Sequence, residues 1–378
     1  MKNRVILTMI YDIKLFPPVI SICNILSELN YEIVYIGGCS DINTEEVLME
    51  KNRVRFYKTS LYGGNGIQRI IQQYKYRKYV LEVLKSEYVK ETTYLWLLHS
   101  ETVSLFSAYL DKYDVISHLF EFKNPTQRIA YRLLSPCYPF EKNLKKSKKV
   151  VCCEYNRAHI TKSIYNLNEV PYILPNKPYN KNTQVTQSLP SFIQEIISKY
   201  RNKRIILYQG VFIPERRVDY FIRAVNSLPD DYVLFLMGGE NSFYDELRNK
   251  YQSDRIVFLP FLPPPLHLEI TKLAYIGILV YVVNGEPINR AINVLYCAPN
   301  KLNEYSMFGI PMISNNLPAL NFIFSKFEAG ICTDILFEEN VCESILEISR
   351  NYESYSKASV QLYNSVDMLD ILEGILRE

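Results

Sequence analysis

The sequence predicts an α/β protein with two doubly wound, Rossmann-like domains that face a central cleft. Its 378 residues are enough for two domains of ordinary size. In both halves, short apolar runs alternate with amphipathic helical patterns, which is the order of a parallel sheet covered by helices. A polar segment rich in Pro and Asn, at 174–183, separates the two halves as a linker would.

This linker divides the chain into an N-terminal domain at 1–177 and a C-terminal domain at 178–359. The remaining residues, about 360–378, have a helical pattern, and we expect this helix to pack back on the N-terminal domain.

The predicted strands follow from apolar runs of strand length. In the first half these runs lie at 5–10, 32–36, 94–98, 114–119 and 149–153, with helices at 18–29, 67–84 and 104–110. In the second half the strands lie at 204–208, 232–237, 256–259, 277–282 and 311–314, with helices at 218–227, 243–251, 267–273 and 341–348. Strands that alternate with helices predict one parallel sheet in each domain.

Composition excludes several classes of function. The net charge of +3 is too small to indicate nucleic-acid binding. The eight cysteines are scattered without a Cys-x2-Cys pair, and there are only four His, which argues against a disulfide framework or a zinc site. No apolar run reaches the ~18 residues of a membrane span. We therefore expect a cytoplasmic protein, and any membrane contact to be peripheral, at the inner membrane face.

Basic residues cluster in two segments of the first half. One contains Lys75, Arg77, Lys78 and Lys85, and the other contains Lys142, Lys145, Lys146, Lys148 and Lys149. Such segments are either solvated faces or a patch for an anionic membrane or acidic acceptor. Both interpretations stay open from the sequence.

Familiar cofactor motifs are missing. The segment Gly63-Gly64-Asn65-Gly66 lacks the Gly-x-Gly-x-x-Gly spacing and follows a polar stretch, so it is weak evidence for a dinucleotide. The chain has no P-loop motif and no Asp-x-Asp, which removes the simplest metal–diphosphate site. We expect no metal and no cofactor.

Three turns of the second half follow predicted strands. Gly210 ends the first strand and is followed by Arg216 and Arg217, while Gly238 follows the second. The third turn runs from Pro299 into a predicted helix that stops at Gly309. Open α/β sheets bind ligands at the carboxyl ends of their strands, so these turns predict one binding site.

The third turn carries the most information. Asn300 is expected to cap the helix, and the free N–H groups behind it suit an anion. Glu304, one turn into the helix, is placed to accept hydrogen bonds from a pair of sugar hydroxyls. The alternative is an ordinary capped helix with a solvated Glu, and the local pattern alone does not decide between them.

These segments resemble motifs of GT-B glycosyltransferases, specifically the retaining glycosyltransferase family 4 and its relatives in bacterial surface-polysaccharide clusters. Tyr208-Gln209-Gly210 with Glu215-Arg216, and 299–305 followed by Gly309-Ile310-Pro311, are similar to the donor-binding segments of that family. In the first half, 113–121, 154–158 and 174–178 resemble further family segments. The resemblance covers the whole chain and is strongest over 204–330.

The resemblance implies a role for each of several residues. The donor diphosphate would be bound by Gly210, Arg216, Arg217, Asn300, Lys301 and Leu302. Glu304 would bind the ribose, and Gly238, Leu259 and Pro260 would lie near the base. His118 and Glu286 are the expected catalytic residues, and Glu286 stands in for a family Glu at the position where this chain has Tyr296. The acceptor side would include Asp12, His99, Glu121, Glu154 and Arg157.

The implied function is sugar transfer from a nucleotide diphosphate sugar to a glycan acceptor. By resemblance, the acceptor is lipid-linked, the reaction is retaining and independent of metal, and the product is a bacterial cell-surface polysaccharide such as a capsule. Two alternatives stay open. One is a non-catalytic GT-B partner subunit of another transferase, which Tyr296 favours. The other is a GT-B nucleotide-sugar 2-epimerase, for which four His are few.

Overall fold

The computed structural model describes residues 2–123, 134, 136, 140, 143–179, 188–283, 285 and 287–377. The chain divides into two compact units. Unit 1 comprises Met1–Lys181 and Asp367–Glu378, and unit 2 comprises Asn182–Val366. The break between the units thus falls at 181, where the sequence prediction had 177.

Unit 1 contains a parallel sheet. Its described strands are β1 (Arg4–Asp12), β2 (Glu32–Gly38), β3 (Arg55–Lys58), β4 (Thr93–Leu98), β5 (Val115–Leu119), β6 (Lys149–Cys152) and β7 (Tyr172–Ile173). They form one sheet in the order β3-β2-β1-β4-β5-β6-β7. The helices are α1 (Pro17–Glu28), α2 (Ile42–Glu50), α3 (Gly66–Glu87), α4 (Ser100–Leu105), α5 (Tyr155–Tyr165) and, from the C-terminus, α15 (Met368–Leu376). The central strands are buried throughout because helices cover both faces of a doubly wound sheet.

The C-terminal helix of unit 1 corrects one sequence interpretation. Lys149, counted in the basic surface run, is buried, and its Nζ donates to the carbonyl oxygens of Ile375, at 2.6 Å, and Arg377. A cation at the C-terminal end of α15 satisfies carbonyls that have no partner within the helix. Lys146 of the same run pairs with Asp111 at 3.0 Å. Lys142 lies outside the described residues.

Unit 2 repeats the architecture. Its described strands are β8 (Arg204–Gln209), β9 (Tyr232–Met237), β10 (Ile256–Leu259), β11 (Ile276–Leu279), β12 (Met312–Asn315) and β13 (Gly330–Thr333). They pair in the parallel order β10-β9-β8-β11-β12-β13. The helices are α6 (Ser191–Tyr200), α7 (Val218–Ser227), α8 (Ser242–Tyr251), α9 (Leu268–Thr271), α10 (Ile288–Leu295), α11 (Asn300–Met307), α12 (Pro318–Phe327), α13 (Glu338–Arg350) and α14 (Tyr352–Asn364).

Helix α11 is held tightly against the sheet of unit 2. The Tyr305 ring packs over Gly277 of β11, where a Cβ atom would lie 2.4 Å from the ring. The Tyr305 hydroxyl donates to the Leu207 carbonyl of β8 at 2.9 Å. Since only glycine leaves room for the ring, this contact sets the position of α11 beside the ends of β8 and β11.

The predicted strands all occur, with ends that shift by up to three residues. Three strands escaped sequence detection: β3, β7 and β13. Each lies at or near a sheet edge and is two to four residues long, with few buried side chains, so it lacks a continuous apolar run. The helix predicted at 104–110 begins earlier, as α4 at Ser100, directly after β4.

We expect Gly277→Ala to destabilise unit 2 by ~1–3 kcal/mol, because the new methyl group overpacks the Tyr305 ring. Gly239→Ala is the matched control, since nothing lies within 4 Å of the position of its Cβ. Thermal unfolding of both variants checks this. Equal Tm values for the two variants would contradict the packing described.

Candidate functional site

Two glycines, one after β8 and one after β9, shape the turn that follows β8. Gly210 has a φ of +142°, and its amide donates to the Met237 carbonyl at 2.9 Å. Gly238 follows β9, and a Cβ atom there would lie 2.0 Å from the Gly210 carbonyl. The Nζ of Lys301 is 3.5 Å from the position of a Gly210 Cβ. The absence of side chains therefore leaves the backbone of this turn open next to an ammonium group.

Two cations meet at the Tyr281 ring. The Arg216 guanidinium lies 4.1 Å from the ring centroid and donates to the Val280 carbonyl at 3.1 Å. The Lys301 ammonium lies 5.1 Å from the same ring and 4.6 Å from the Tyr208 ring. Within the described residues neither cation pairs with a carboxylate. Two positive charges held together by aromatic rings are an arrangement that suits an anion.

The pKa of Lys301 reflects this charge arrangement. Burial, together with the neighbouring Arg216 guanidinium, lowers the pKa of Lys301 from 10.5 to about 7. A bound anion would reverse this effect, because an opposite charge favours the protonated amine.

Tyr281 is itself fixed by Asn315 at the end of β12. The Asn315 Oδ1 accepts from the Tyr281 amide at 3.1 Å, and its Nδ2 donates to the Tyr281 carbonyl at 2.8 Å. Asn315 also borders a cavity of about 350 Å³, within the ~300–1,000 Å³ of small-molecule pockets. The cavity is lined by Val282, Asn315, Asn316, Cys332, Thr333, Asp334, Ile335 and Leu336.

The start of α11 differs from the prediction by one residue. Pro299 occupies the capping position, and Asn300 is the first residue of the helix. No described side chain makes a capping hydrogen bond at this end of α11. The predicted cap was wrong because helix starts shift by a residue or two from sequence patterns. Among the described residues, the backbone amides of Asn300 and Lys301 donate to no protein acceptor. The Leu302 amide donates to the Pro299 carbonyl at 3.2 Å, and its side chain is in the core.

Glu304 belongs to a buried polar network. It is 4% exposed, and its Oε2 accepts from Gln209 Nε2 at 2.6 Å. His267 Nε2 lies 3.3 Å from Glu304 Oε1, and Thr271 Oγ1 donates to Gln209 Oε1 at 2.8 Å. The alternative of a solvated Glu is therefore wrong. The roles of His267 and Thr271 escaped sequence reasoning, since their only local signal is a lone His at a short helix.

The residues predicted near the base lie at neighbouring strand ends. The Gly238 amide donates to the Leu259 carbonyl at 3.3 Å, and the Leu259 side chain is in the core. Pro260 directly follows β10 and is half-buried. Only Pro260 of the three therefore has side-chain surface open to a ligand.

Arg217 is not brought to the cation pair. Its φ is +46°, its Nε lies 3.6 Å from Asp219 Oδ1, and its guanidinium lies 4.5 Å from the Tyr220 ring. Glu286, the second predicted catalytic residue, lies outside the described residues, and its role stays a prediction.

Unit 1 gathers aromatic and acidic groups at the end of β4. His99 has a φ of +76°, and its Nδ1 accepts from the Glu101 amide at 3.2 Å. Since Nδ1 accepts, the neutral ring carries its proton on Nε2. Burial lowers the pKa of His99 to about 4. The ring contacts Tyr11 edge-on at 4.7 Å, so His99 is a neutral N–H donor next to an aromatic surface.

Glu101 is the member of this cluster that sequence reasoning missed. Its carboxylate accepts from the hydroxyls of Tyr11 and Tyr62, both at 3.1 Å, and from Gln73 Nε2 at 2.8 Å. The donors come from β1, the turn before α3, and α3, so no local pattern connects them.

His118 lies inside the sheet rather than at its edge. It is 1% exposed, its ring is 4.2 Å from Phe120, and within the described residues neither ring nitrogen has a hydrogen-bond partner. Burial, and next the charge of His99, lowers the pKa of His118 to about 3. In this conformation the ring is shielded from any substrate, and its catalytic role stays a prediction.

The other acceptor-side candidates are dispersed. Asp12 Oδ1 accepts from the amides of Lys14 and Ser40, and Glu154 caps α5 by accepting from the Arg157 amide at 2.8 Å. The buried Arg157 donates to the Phe120 carbonyl at 2.9 Å. These three therefore stabilise turns. Glu121 is exposed.

Two absences hold for the described residues only. Among them, no group of three or more His, Cys, Asp or Glu is placed to hold a metal ion. Within the same part of the chain, every helix is too short or too polar to cross a bilayer.

Comparison with known proteins identifies the fold. Neither a family model nor a curated protein matches the sequence. Solved structures do: a glycosyltransferase from Rickettsia africae has a TM-score of 0.67 at 13% identity, over 99% of this chain and 97% of that one. HepE from Anabaena, crystallised with UDP-glucose, has a TM-score of 0.66 at 12% identity, over 99% and 98%.

A third similar structure, from Listeria monocytogenes, is described as a UDP-N-acetylglucosamine 2-epimerase. It has a TM-score of 0.66 at 10% identity, over 99% of this chain and 95% of that one. The chain has the GT-B fold. At these identities the similarity shows the fold alone, and it confirms the fold class predicted from the sequence.

We expect Lys301→Met to raise the Tm, because methionine keeps the apolar stem and removes a partly buried charge that pairs with no carboxylate among the described residues. The pKa of Lys301 is about 7 when folded and near 10.5 when unfolded. At low pH the Lys301 amine is charged in both the folded and the unfolded protein, so the folded protein bears the full free-energy cost of holding this charge. The cost decreases above pH ~7, where the folded protein loses the proton. The gain in Tm should be largest below pH ~7 and should decrease steadily as the pH rises toward the unfolded pKa of 10.5.

The control is Lys326→Met, at an exposed position on α12. It should leave the Tm nearly constant across the same pH range. A Lys301→Met variant that is less stable than wild type at low pH would show that the two aromatic rings outweigh burial.

Proposed function

We propose that unit 2 binds a nucleotide diphosphate sugar and that the protein is a glycosyltransferase. The main observation behind this proposal is a pair of cations, because Arg216 and Lys301 both lie against the Tyr281 ring beside Gly210. Neither cation has a carboxylate partner among the described residues. Keeping two unpaired cations together costs stability unless an anion is bound. A diphosphate supplies negative charge to both cations and accepts hydrogen bonds from the open amides of Asn300 and Lys301.

The comparisons support the choice of ligand. HepE, which has the same fold, was crystallised with UDP-glucose. In our proposal Glu304 receives the ribose hydroxyls at the end of the network that Gln209 and His267 form. The cavity beside Asn315 is the proposed place for the sugar.

Transfer requires the leaving diphosphate to be stabilised. Arg216, Lys301 and the N-terminus of α11 supply fixed positive charge for this purpose, so we propose a reaction independent of metal. We also propose retention of configuration, with the diphosphate oxygen accepting the acceptor's proton. This last point rests on the sequence resemblance to glycosyltransferase family 4.

The acceptor side is proposed to lie at the His99–Glu101 cluster. His99 offers an N–H donor, Glu101 offers a carboxylate, and Tyr11 offers an aromatic face, which together suit a sugar with both hydroxyls and an apolar ring face. The sequence resemblance favours a lipid-linked glycan in bacterial surface-polysaccharide assembly. We accordingly propose a cytoplasmic location with peripheral contact at the inner membrane face.

A second candidate function is nucleotide-sugar 2-epimerisation. The similar structure from Listeria monocytogenes favours it, since that protein is described as such an epimerase. A non-catalytic partner subunit is the third possibility, motivated by Tyr296 at the position of a family Glu. All three would bind a nucleotide sugar at the same donor site, but the transferase and the epimerase form different products and the partner subunit forms none.

Incubation with UDP-, GDP- and other nucleotide sugars separates these functions. Free nucleotide that forms only when a glycan acceptor is present indicates a transferase. Isomerised sugar indicates an epimerase, and binding without turnover indicates a partner subunit.

Transfer should persist in excess EDTA, because the protein's own cations and helix N-terminus neutralise the leaving group. Product formation with and without chelator measures this. Complete loss of activity that Mg²⁺ or Mn²⁺ restores would refute the metal-free mechanism.

We expect Arg216→Ala to weaken UDP-glucose binding by about 10- to 100-fold, or ~1.5–3 kcal/mol, the value of a charge-assisted hydrogen bond. Arg217→Ala is the matched variant, one residue along the chain, and its effect should be several-fold smaller because Asp219 and Tyr220 hold this side chain. Isothermal titration calorimetry gives both affinities. Equal losses in the two variants would place the diphosphate elsewhere.

A further inference from the structure

Helix α3 presents an apolar stripe to solvent. Ile67 is 73% exposed, Ile71 is 49% exposed and Tyr74 is 47% exposed. These residues are spaced by four and three positions, so they lie on one face of the helix. Three large apolar side chains in a contiguous row on a surface helix differ from the single exposed residues that every protein carries.

The opposite face of α3 anchors the helix to the sheet of unit 1. Tyr76, Val80 and Leu84 are buried there, and the Tyr76 hydroxyl is 2.6 Å from Thr8 Oγ1 of β1. The helix therefore cannot rotate to bury Ile67 and Ile71 without leaving its own core.

Lysines continue the same stripe toward the C-terminal end. Lys78 and Lys85 lie four and eleven residues after Tyr74, on the face of the apolar residues, and Lys75 flanks them. Among the described residues, none of these three lysines pairs with a carboxylate. The structure describes the whole of α3, and Glu82 is the one acidic residue among its exposed side chains. From Ile67 to Lys85 the stripe is about 27 Å long, at 1.5 Å per residue.

We propose that this stripe, defined by Ile67, Ile71, Tyr74, Lys78 and Lys85, docks the protein on an anionic lipid surface. The apolar residues enter the boundary between headgroups and acyl chains, and the lysines bind lipid phosphates. The proposal deepens the proposed function, on which it rests for the lipid-linked acceptor. It also replaces the basic run at 142–149 as the contact, since Lys149 is buried and Lys146 pairs with Asp111.

The positive charge of the stripe favours an anionic lipid surface, rather than a second copy of this chain, as its binding partner. A two-fold symmetric dimer through α3 would bring the same positively charged stripe of both copies together. Anionic headgroups instead offer the opposite charge, spread over a surface wide enough for the whole stripe.

Flotation with vesicles of phosphatidylcholine and about one third phosphatidylglycerol tests the proposal. The wild-type protein should bind these vesicles, less so at high salt, and should bind pure phosphatidylcholine weakly. The double variant Ile67→Asp/Ile71→Asp should bind about tenfold more weakly or worse, because it loses the inserted side chains and adds negative charge.

The matched control is Ile42→Asp/Met49→Asp. These two residues lie on α2 of the same unit, are 67% and 48% exposed, and receive the same added charge. Its vesicle affinity should stay within about twofold of wild type. Circular dichroism and Tm establish that both variants are folded.

Three results would overturn the proposal: no binding of wild type to anionic vesicles, equal losses in both double variants, or a wild-type dimer in sedimentation velocity that Ile67→Asp/Ile71→Asp dissociates. Because the vesicles contain no nucleotide sugar, failure here leaves the diphosphate site untouched. Failure of UDP-glucose binding would likewise leave the lipid contact standing.

Discussion

The hydrogen bond from Gln209 to Glu304 organises the candidate site of unit 2. It joins the last residue of β8 to a residue one turn into α11 at 2.6 Å, in a buried position where an unpaired carboxylate would be costly. The Tyr305 hydroxyl, bonded to the carbonyl of Leu207, makes the next contact between the same two elements. Because these contacts fix the start of α11 against the end of β8, Lys301 comes to lie next to Gly210.

The cation pair lowers the stability of the folded protein. Arg216 and Lys301 come from different turns, share the Tyr281 ring and repel each other, and burial together with this repulsion lowers the pKa of Lys301. Elsewhere in unit 2 cations find partners, as Lys199 does with Asp254 and Arg204 with Asp231. Local departures from the rule of paired charges are expected where a protein binds a ligand.

In unit 1 the carboxyl ends of the parallel strands carry functional groups that differ from those of unit 2. His99 follows β4 with a left-handed backbone and begins α4, while Glu101 collects three hydrogen-bond donors from distant segments. The result is a neutral donor and an acidic group beside aromatic rings, without the concentrated positive charge of unit 2. Each unit thus carries its polar groups at the carboxyl ends of its parallel strands, where an open α/β sheet leaves space between helix starts.

Much of the fold follows from the sequence by itself. Buried strands such as β9 and β10 are continuous apolar runs, because a parallel sheet is covered on both faces, and their ends were predicted to the residue. The glycine turns and the motif from Pro299 to Glu304 likewise indicated the candidate site, whose role stays a prediction, because such turns are local. Tertiary structure alone decided which charges remain unpaired. That Arg216 meets Lys301 while Arg217 turns to Asp219, that His118 is enclosed while His99 lies at a strand end, and that Lys149 is buried against α15 all depend on contacts between residues far apart in the chain.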